Sequence, residues 1–498
     1  MHIQFNNMPL RCMRQILTQT QAQELTQEVK LPDGYPDIGR ILSCRGQIVL
    51  RGKEWRRTAM SANGGVMVWV LYAPEDGSEA RCLDAWMPFQ TRWELPDAVD
   101  DGVVTVMPLL SELDGRNISA RKIILRAGIE LQGQAMEYCK MEIPTPTDVP
   151  EDIQLLLKTY PVELPMEAGE RQVRIEESLS IPDDQPPIAR MIGYELVPTI
   201  QEQKVLANRL VLRGSCTLQL RYLCEDGKIH NWKTELPMSD YTELRNEYDT
   251  TATAWLLPTV TALELDQGEG QLQLRAGVAA QYTVFDRTVL KVAEDAYSPY
   301  RQVDIQQEML QLPVLLDRRE LEIPVTVTVP NDLQEVVDLS VLCRQPYVST
   351  EENGVSLTAA GQFLLLGSSS EEMALSDSVN YEENMLLPGA KENHIELWPG
   401  IITDSSCAKY GGDSSVHATL PVTAFSYTSE PIRMLGGIEV GEQKQSDPQR
   451  PSVILKQTGE EDLWTLAKRY GSTVEAIREA NHLDGDEQLG SILLIPVC

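Results

Sequence analysis

A pattern of landmarks recurs along this chain at an offset of about 150 residues, and it restricts the fold to tandem copies of one unit. The first copy opens with Leu31-Pro32-Asp33-Gly34-Tyr35-Pro36-Asp37-Ile38-Gly39-Arg40-Ile41-Leu42, and the second with Ile181-Pro182-Asp183-Asp184-Gln185-Pro186-Pro187-Ile188-Ala189-Arg190-Met191-Ile192. Further on, Gly64 through Tyr72 lines up with Gly214 through Tyr222, and Glu75-Asp76-Gly77 with Glu225-Asp226-Gly227. Val106-Met107-Pro108 then matches Leu256-Leu257-Pro258, and Leu125-Arg126-Ala127-Gly128 matches Leu274-Arg275-Ala276-Gly277. A third, worn copy keeps Val329-Pro330-Asn331-Asp332, the glycine-led run Gly361 through Leu366, Glu371-Glu372 and Leu397-Trp398-Pro399-Gly400.

Inside each copy the local signal is β. Leu218, Leu220 and Tyr222 alternate with Thr217, Gln219 and Arg221, the period of a half-buried strand. Acidic-Asp-Gly then supplies the positive φ that closes a hairpin. Val66 through Leu71 is apolar on both faces, which places that strand centrally between layers. Further strands are expected at Gln271–Val278, Glu322–Val329 and Val416–Phe425. Helical spacing is confined to Pro36–Leu42, Asp152–Thr159 and parts of the N-terminus.

The last 46 residues, Val453 to Cys498, read differently: strand, helix, helix, strand. Val453-Ile454-Leu455 opens the module and Thr458-Gly459 turns it. Leu463, Leu466, Ala467 and Tyr470 share one helix face that Gly471 can end. Ser472 and Glu475 have capping-box spacing for a second helix with the stripe Val474, Ile477 and Ala480. Ile492 through Pro496 closes the module. The order and spacing of these residues resemble the LysM domain. That resemblance implies a groove for N-acetylglucosamine-containing glycans between the first turn and the loop after the second helix. Here it maps to Gly459, Glu460, Glu461, Asp462, Leu463, Trp464, Asn481, His482, Leu483 and Asp484. Where the family has Gly-Asp-Thr-Leu, this chain inserts one residue and makes the turn acidic, which favours contact with protein. His482 suits a helix C-terminus, and Trp464, off the apolar stripe, is a candidate anchor.

The expected fold is mainly β, with tandem β-rich repeats and a small C-terminal βααβ module. Expected divisions are 1–150, 151–310 and 311–442 for the repeats, 443–452 for a linker and 453–498 for the tail module. The opening Pro-Asp-Ile pattern resembles the sporulation-associated SPOCS domain. SPOCS repeats followed by LysM imply a non-enzymatic spore coat scaffold in the mother cell. It would sit at the forespore surface and bind the coat's basement-layer ATPase partly through LysM, coupling coat assembly to cortex formation. The alternative is a protein that binds peptidoglycan glycan.

Charge and motifs narrow the classes further. With 74 acidic against 43 basic residues the net charge is −31, which repels phosphate backbones and anionic headgroups, so neither nucleic acid nor membrane is an expected partner. The first 27 residues have apolar runs broken by Asn6, Asn7, Arg11 and Arg14, so no signal peptide is expected. Nowhere does an apolar run approach the roughly 18 residues of a span. Nine scattered cysteines without C-x-x-C spacing suit a reducing cytosol. Five histidines offer no zinc-hydrolase pairing, and neither a phosphate loop nor a G-x-S-x-G elbow is present. Gly34, Gly39 and Gly46 are turn glycines rather than a dinucleotide fingerprint. No catalytic residue, metal or cofactor is expected.

Overall fold

The computed structural model describes residues 2–268, 271–330, 333–351, 354–368, 375–387, 394–410, 412–428, 430–445, 449–457, 461–483 and 492–497. The chain is mainly β, and the two helices among the described residues lie in the C-terminal module. The first group of strands is β1 (Gln4–Lys30), β2 (Ile38–Arg56), β3 (Ala59–Pro74), β4 (Arg81–Glu94), β5 (Val103–Ser119) and β6 (Lys122–Thr147). They form two antiparallel three-stranded sheets, β1-β6-β5 and β2-β3-β4. β4 shows the sequence logic: Met87, Phe89, Thr91 and Trp93 are buried while Pro88, Gln90, Arg92 and Glu94 face water. β3, apolar on both faces, does lie between two partners. Leu50, Met60, Val66, Trp93, Ile123 and Leu125 join the two sheets in one core.

The second group is β7 (Gln154–Leu179), β8 (Arg190–Leu223), β9 (Ile229–Tyr248), β10 (Thr253–Gln267) and β11 (Leu272–Tyr297). Its sheet β7-β11-β10 has the pairing order of β1-β6-β5, and β8 pairs with β9. The long β8 folds back on itself about Ala207, whose φ is 50°, so that Thr199 Oγ1 lies 3.2 Å from Ser215 Oγ. The Asp-Gly turns close their hairpins as expected, with φ 73° at Gly77 and 78° at Gly227.

The third group is β12 (Arg301–Leu310), β13 (Leu315–Pro330), β14 (Glu335–Cys343), β15 (Tyr347–Glu351), β16 (Gly354–Ser368), β17 (Leu375–Leu387), β18 (His394–Pro399), β19 (Ser405–Tyr410), β20 (Asp413–Tyr427) and β21 (Ile432–Gln443). β20 pairs with β13, β18 and β19, while β16 pairs with β14, β15 and β17, and β12 pairs with β21. The tail adds β22 (Val453–Gln457), α1 (Leu463–Tyr470), α2 (Val474–Asn481) and β23 (Ile492–Pro496), with β22 antiparallel to β23.

The helical expectations outside the tail are overturned. Residues 38–42 belong to β2, where register shifts between Ile38 and Arg40 and between Ile41 and Ser43 place extra residues in the strand. Each bulge delays the alternation by one position, so Ile38, Ile41 and Leu42 imitate helical spacing. Gln154 to Thr159 pairs with the end of β11, across a register shift between Ala293 and Asp295. The N-terminus is β1, paired with β6 from Gln4 to Lys30. Tertiary pairing overrides local propensity in all three places.

Three features join the groups. Met107, Leu257 and Trp398, one from each, lie in a shared cluster where the Trp255 ring is 5.2 Å from both Trp398 and Phe425. Asp338 of β14 is fully buried between Arg45 of β2, 3.0 Å away, and Arg221 of β8, 2.7 Å away. It also accepts from Gln219 and Asn231 at 3.0 and 3.1 Å. Buried charges persist only when paired in this way. Finally, Leu10, Ile143, Val162, Leu290, Leu310 and Ile432 gather the ends of three ribbons, β1/β6, β7/β11 and β12/β21. Among the described residues no helix is long and apolar enough to cross a membrane.

Candidate functional site

The tail folds around Leu466, Ala467, Ile477, Leu493 and Ile495, with Leu463, Trp464, Tyr470, Val474 and Leu483 at the margin. Asp462 caps α1: its Oδ1 accepts from the Thr465 amide at 2.7 Å. Hydrogen bonds from the Thr465 side chain and backbone hold its carboxyl below the usual range. Gly471 ends α1 at φ 65°, as its position implied. The cap of α2 is Thr473 rather than Ser472. Thr473 Oγ1 accepts from Ala476 N at 3.0 Å, while Ser472 is buried and its carbonyl is used elsewhere. The cap thus lies one residue beyond the position that the capping-box spacing predicts.

The described residues of the expected groove have definite places. Glu461 Oε1 lies 2.5 Å from Arg469 Nη1, so this acid is paired within the module. Leu463 at the start of α1 and Leu483 just after α2 both border the tail core. Asn481 turns inward: its side chain donates to Ile477 O and Leu494 O and accepts from Leu494 N, pinning α2 to β23. His482 is exposed and caps α2 in the left-handed region at φ 53°, with its amide donating to helix carbonyls. Gly459, Glu460 and Asp484 lie outside the described residues.

Trp464 is held by another part of the chain. Its indole N–H donates to Asp295 Oδ2 at 2.8 Å, and its ring stands edge-on to Tyr297 with centroids 4.8 Å apart. Lys468 Nζ reaches both oxygens of Asp295, at 2.6 and 2.7 Å. The Tyr297 hydroxyl donates to Ser472 O at 3.0 Å, and the buried Tyr297 side chain packs into the tail's own core. From the preceding segment, Arg450 donates to Tyr470 O at 2.7 Å. The end of β11 thus completes the module. Asp295 and Tyr297 are the residues that sequence reasoning missed, because nothing local to β11 marks them as partners of a helix so far along the chain.

Among the described residues no group of three or more His, Cys, Asp or Glu side chains is gathered to hold a metal. Burial pushes the Cys44, Cys82 and Cys343 thiols up to about 12, so they stay protonated and unreactive. Residues 458–496 match the family of the LysM domain. No curated protein and no solved structure matches the chain.

Proposed function

We propose that the chain is a non-enzymatic scaffold whose β-rich body presents its LysM module to a protein partner. The observation that carries this is the seating of Trp464. An indole near the expected groove is a natural anchor for a sugar ring, yet here Trp464 is half-buried, packed 4.8 Å from the Tyr297 ring with its N–H given to Asp295. Beside it the described turn carries the acids Glu461 and Asp462. A basic protein surface gains orientation and on-rate from such charge, whereas neutral glycan gains little.

The body is proposed to be three related copies divided at 1–150, 151–310 and 311–442, followed by a linker over 443–452. Support comes from the shared pairing order of β1-β6-β5 and β7-β11-β10. It comes also from the equivalent turns in which Tyr35 N donates to Pro32 O and Gln185 N to Pro182 O. The glycine that leads each central strand adds to it. A Cβ at Gly64, Gly214 or Gly361 would collide with the carbonyl of Val49, Thr199 or Leu342, respectively. Together with the Pro-Asp-Ile opening and the tail, these features resemble SipL-type spore coat morphogenetic proteins. The proposed partner is therefore the coat basement-layer ATPase at the forespore surface, contacted from the mother-cell cytosol.

The second reading is capture of peptidoglycan or another N-acetylglucosamine glycan, favoured by the family match over 458–496. Calorimetry on the full chain separates the two. Saturable binding to the purified ATPase that weakens with salt, and no heat with chito-oligosaccharide, is the expected result. Saturable heat with the sugar alone would replace the scaffold reading by the glycan one.

A further inference from the structure

The two strands of the tail turn opposite faces to very different surroundings. Leu493 and Ile495 are buried against α1 and α2, and Ile454 packs beside them. The outward positions, by the pairing Val453↔Pro496, Leu455↔Leu494 and Gln457↔Ile492, are Val453, Leu455, Gln457, Ile492, Leu494 and Pro496. Leu455 is 71 % exposed, Ile492 61 % and Val453 46 %. A strand face open to water is ordinarily polar. In a chain of net charge −31, this one carries no charge at all and five apolar side chains of six. A contiguous exposed apolar face of this kind marks an interaction site. The body does not cover it, because Asp295 and Tyr297 hold the module through Trp464, Lys468 and Ser472 on the helical side.

We infer that this outer sheet face is a docking surface for a cationic amphipathic helix of a partner protein, resting as this does on the tail being a protein-binding module. Size selects the occupant. A stable interface between two folded copies takes roughly 20–30 residues a side, far more than the six offered here. Two strands side by side, about 4.8 Å apart, make a strip as wide as one helix face. Five residues at about 3.3 Å each give roughly 17 Å, the length of three helical turns. Charge selects its flanks. From Val453 to Cys498 there are eight acids against four Lys or Arg, in a chain of net charge −31, so a partner approaching the tail gains from positive charge. A helix with a Leu-rich stripe on Val453, Leu455 and Ile492, and Lys or Arg beside the stripe, meets both conditions.

The test uses the full chain and a synthetic Leu/Lys amphipathic helix of about 18 residues, with a Gln/Lys peptide of equal charge as control. Binding is read by fluorescence anisotropy at physiological salt. Leu455→Gln with Ile492→Gln should weaken the Leu/Lys peptide by about tenfold or more while leaving the melting curve of the chain unchanged. The Gln/Lys peptide should bind neither protein. Equal affinity of variant and parent for the Leu/Lys peptide overturns the inference. So does equal binding of the two peptides, which would mean charge attraction alone. A dimer of the chain in sedimentation that the double variant abolishes would assign the face to a second copy instead. The purified coat ATPase forms a separate arm. If it binds parent and variant alike, the sheet face is wrong and the scaffold stands. If it does not bind the parent, the scaffold reading falls and the peptide arm alone decides the face.

Discussion

Arg45 donates from Nε to Asp338 Oδ2 at 3.0 Å, with side chains only 6 % and 0 % exposed, and this pair ties the first group of strands to the third. Arg221 from the second group stands on the other carboxylate oxygen. Burial alone would push the Asp338 carboxyl up, but Arg221 and Arg45 together hold it below the usual range.

Asp338→Ala should therefore leave two guanidinium groups without their counter-charge and cost about 3–5 kcal/mol. Denaturant unfolding measures it. Because the folded carboxyl is depressed, its contribution is present above the unfolded value and is lost as pH falls through the folded one. A loss within experimental error in the alanine variant would mean that the three groups are held together by apolar contacts alone.

Glu396 behaves in the opposite sense. It is buried beside Trp398 and Gln134, whose N–H groups donate at 2.5 and 2.8 Å, and burial pushes its carboxyl up from 4.5 to about 7. The stability it contributes is full below pH 4.5 and is lost as pH rises to about 7. Glu396→Gln should flatten that slope and raise stability above pH 7 by about 3 kcal/mol at most. Thermal melts across pH 4 to 8 decide it. A variant melt that still falls over that interval would show that other groups cause the dependence.

Gly214→Ala should cost about 1–3 kcal/mol, because the new methyl meets the Thr199 carbonyl, which is backbone and cannot swing aside. Gly64→Ala and Gly361→Ala should cost amounts of the same order if the three glycines are equivalent. Equilibrium unfolding of the three variants gives the comparison. One tolerant glycine among the three would weaken the case for three copies.

Leu466→Ala, which empties a buried position of the tail, should cost that module about 2–5 kcal/mol. Tyr297→Ala should loosen the same module from outside, since the ring belongs to its core and the hydroxyl to Ser472 O. Both variants should speed tryptic cleavage after Lys456 and Lys468, inside the module, while the body resists. Unchanged cleavage in Tyr297→Ala would show that the tail folds without the end of β11.

Local pattern made the mainly-β architecture and the βααβ tail legible, because strand alternation, Asp-Gly turns and the Gly471 helix end act over a few residues. The same reading misjudged residues 36–42, where bulges in β2 shift the alternation, and Ser472, where Thr473 one position on makes the cap. Asn481, expected in the groove, proved to be a clamp on Leu494, a role set by how α2 meets β23. What only the tertiary structure decided is how distant segments meet: Asp338 between Arg45 and Arg221, and Trp464 and Lys468 on Asp295. Strand period and helix caps are properties of neighbours in sequence, so the chain alone determined them. The pairing of buried charges and the seat of an aromatic ring depend on which surfaces close over each other, and that is settled only when the whole chain has folded.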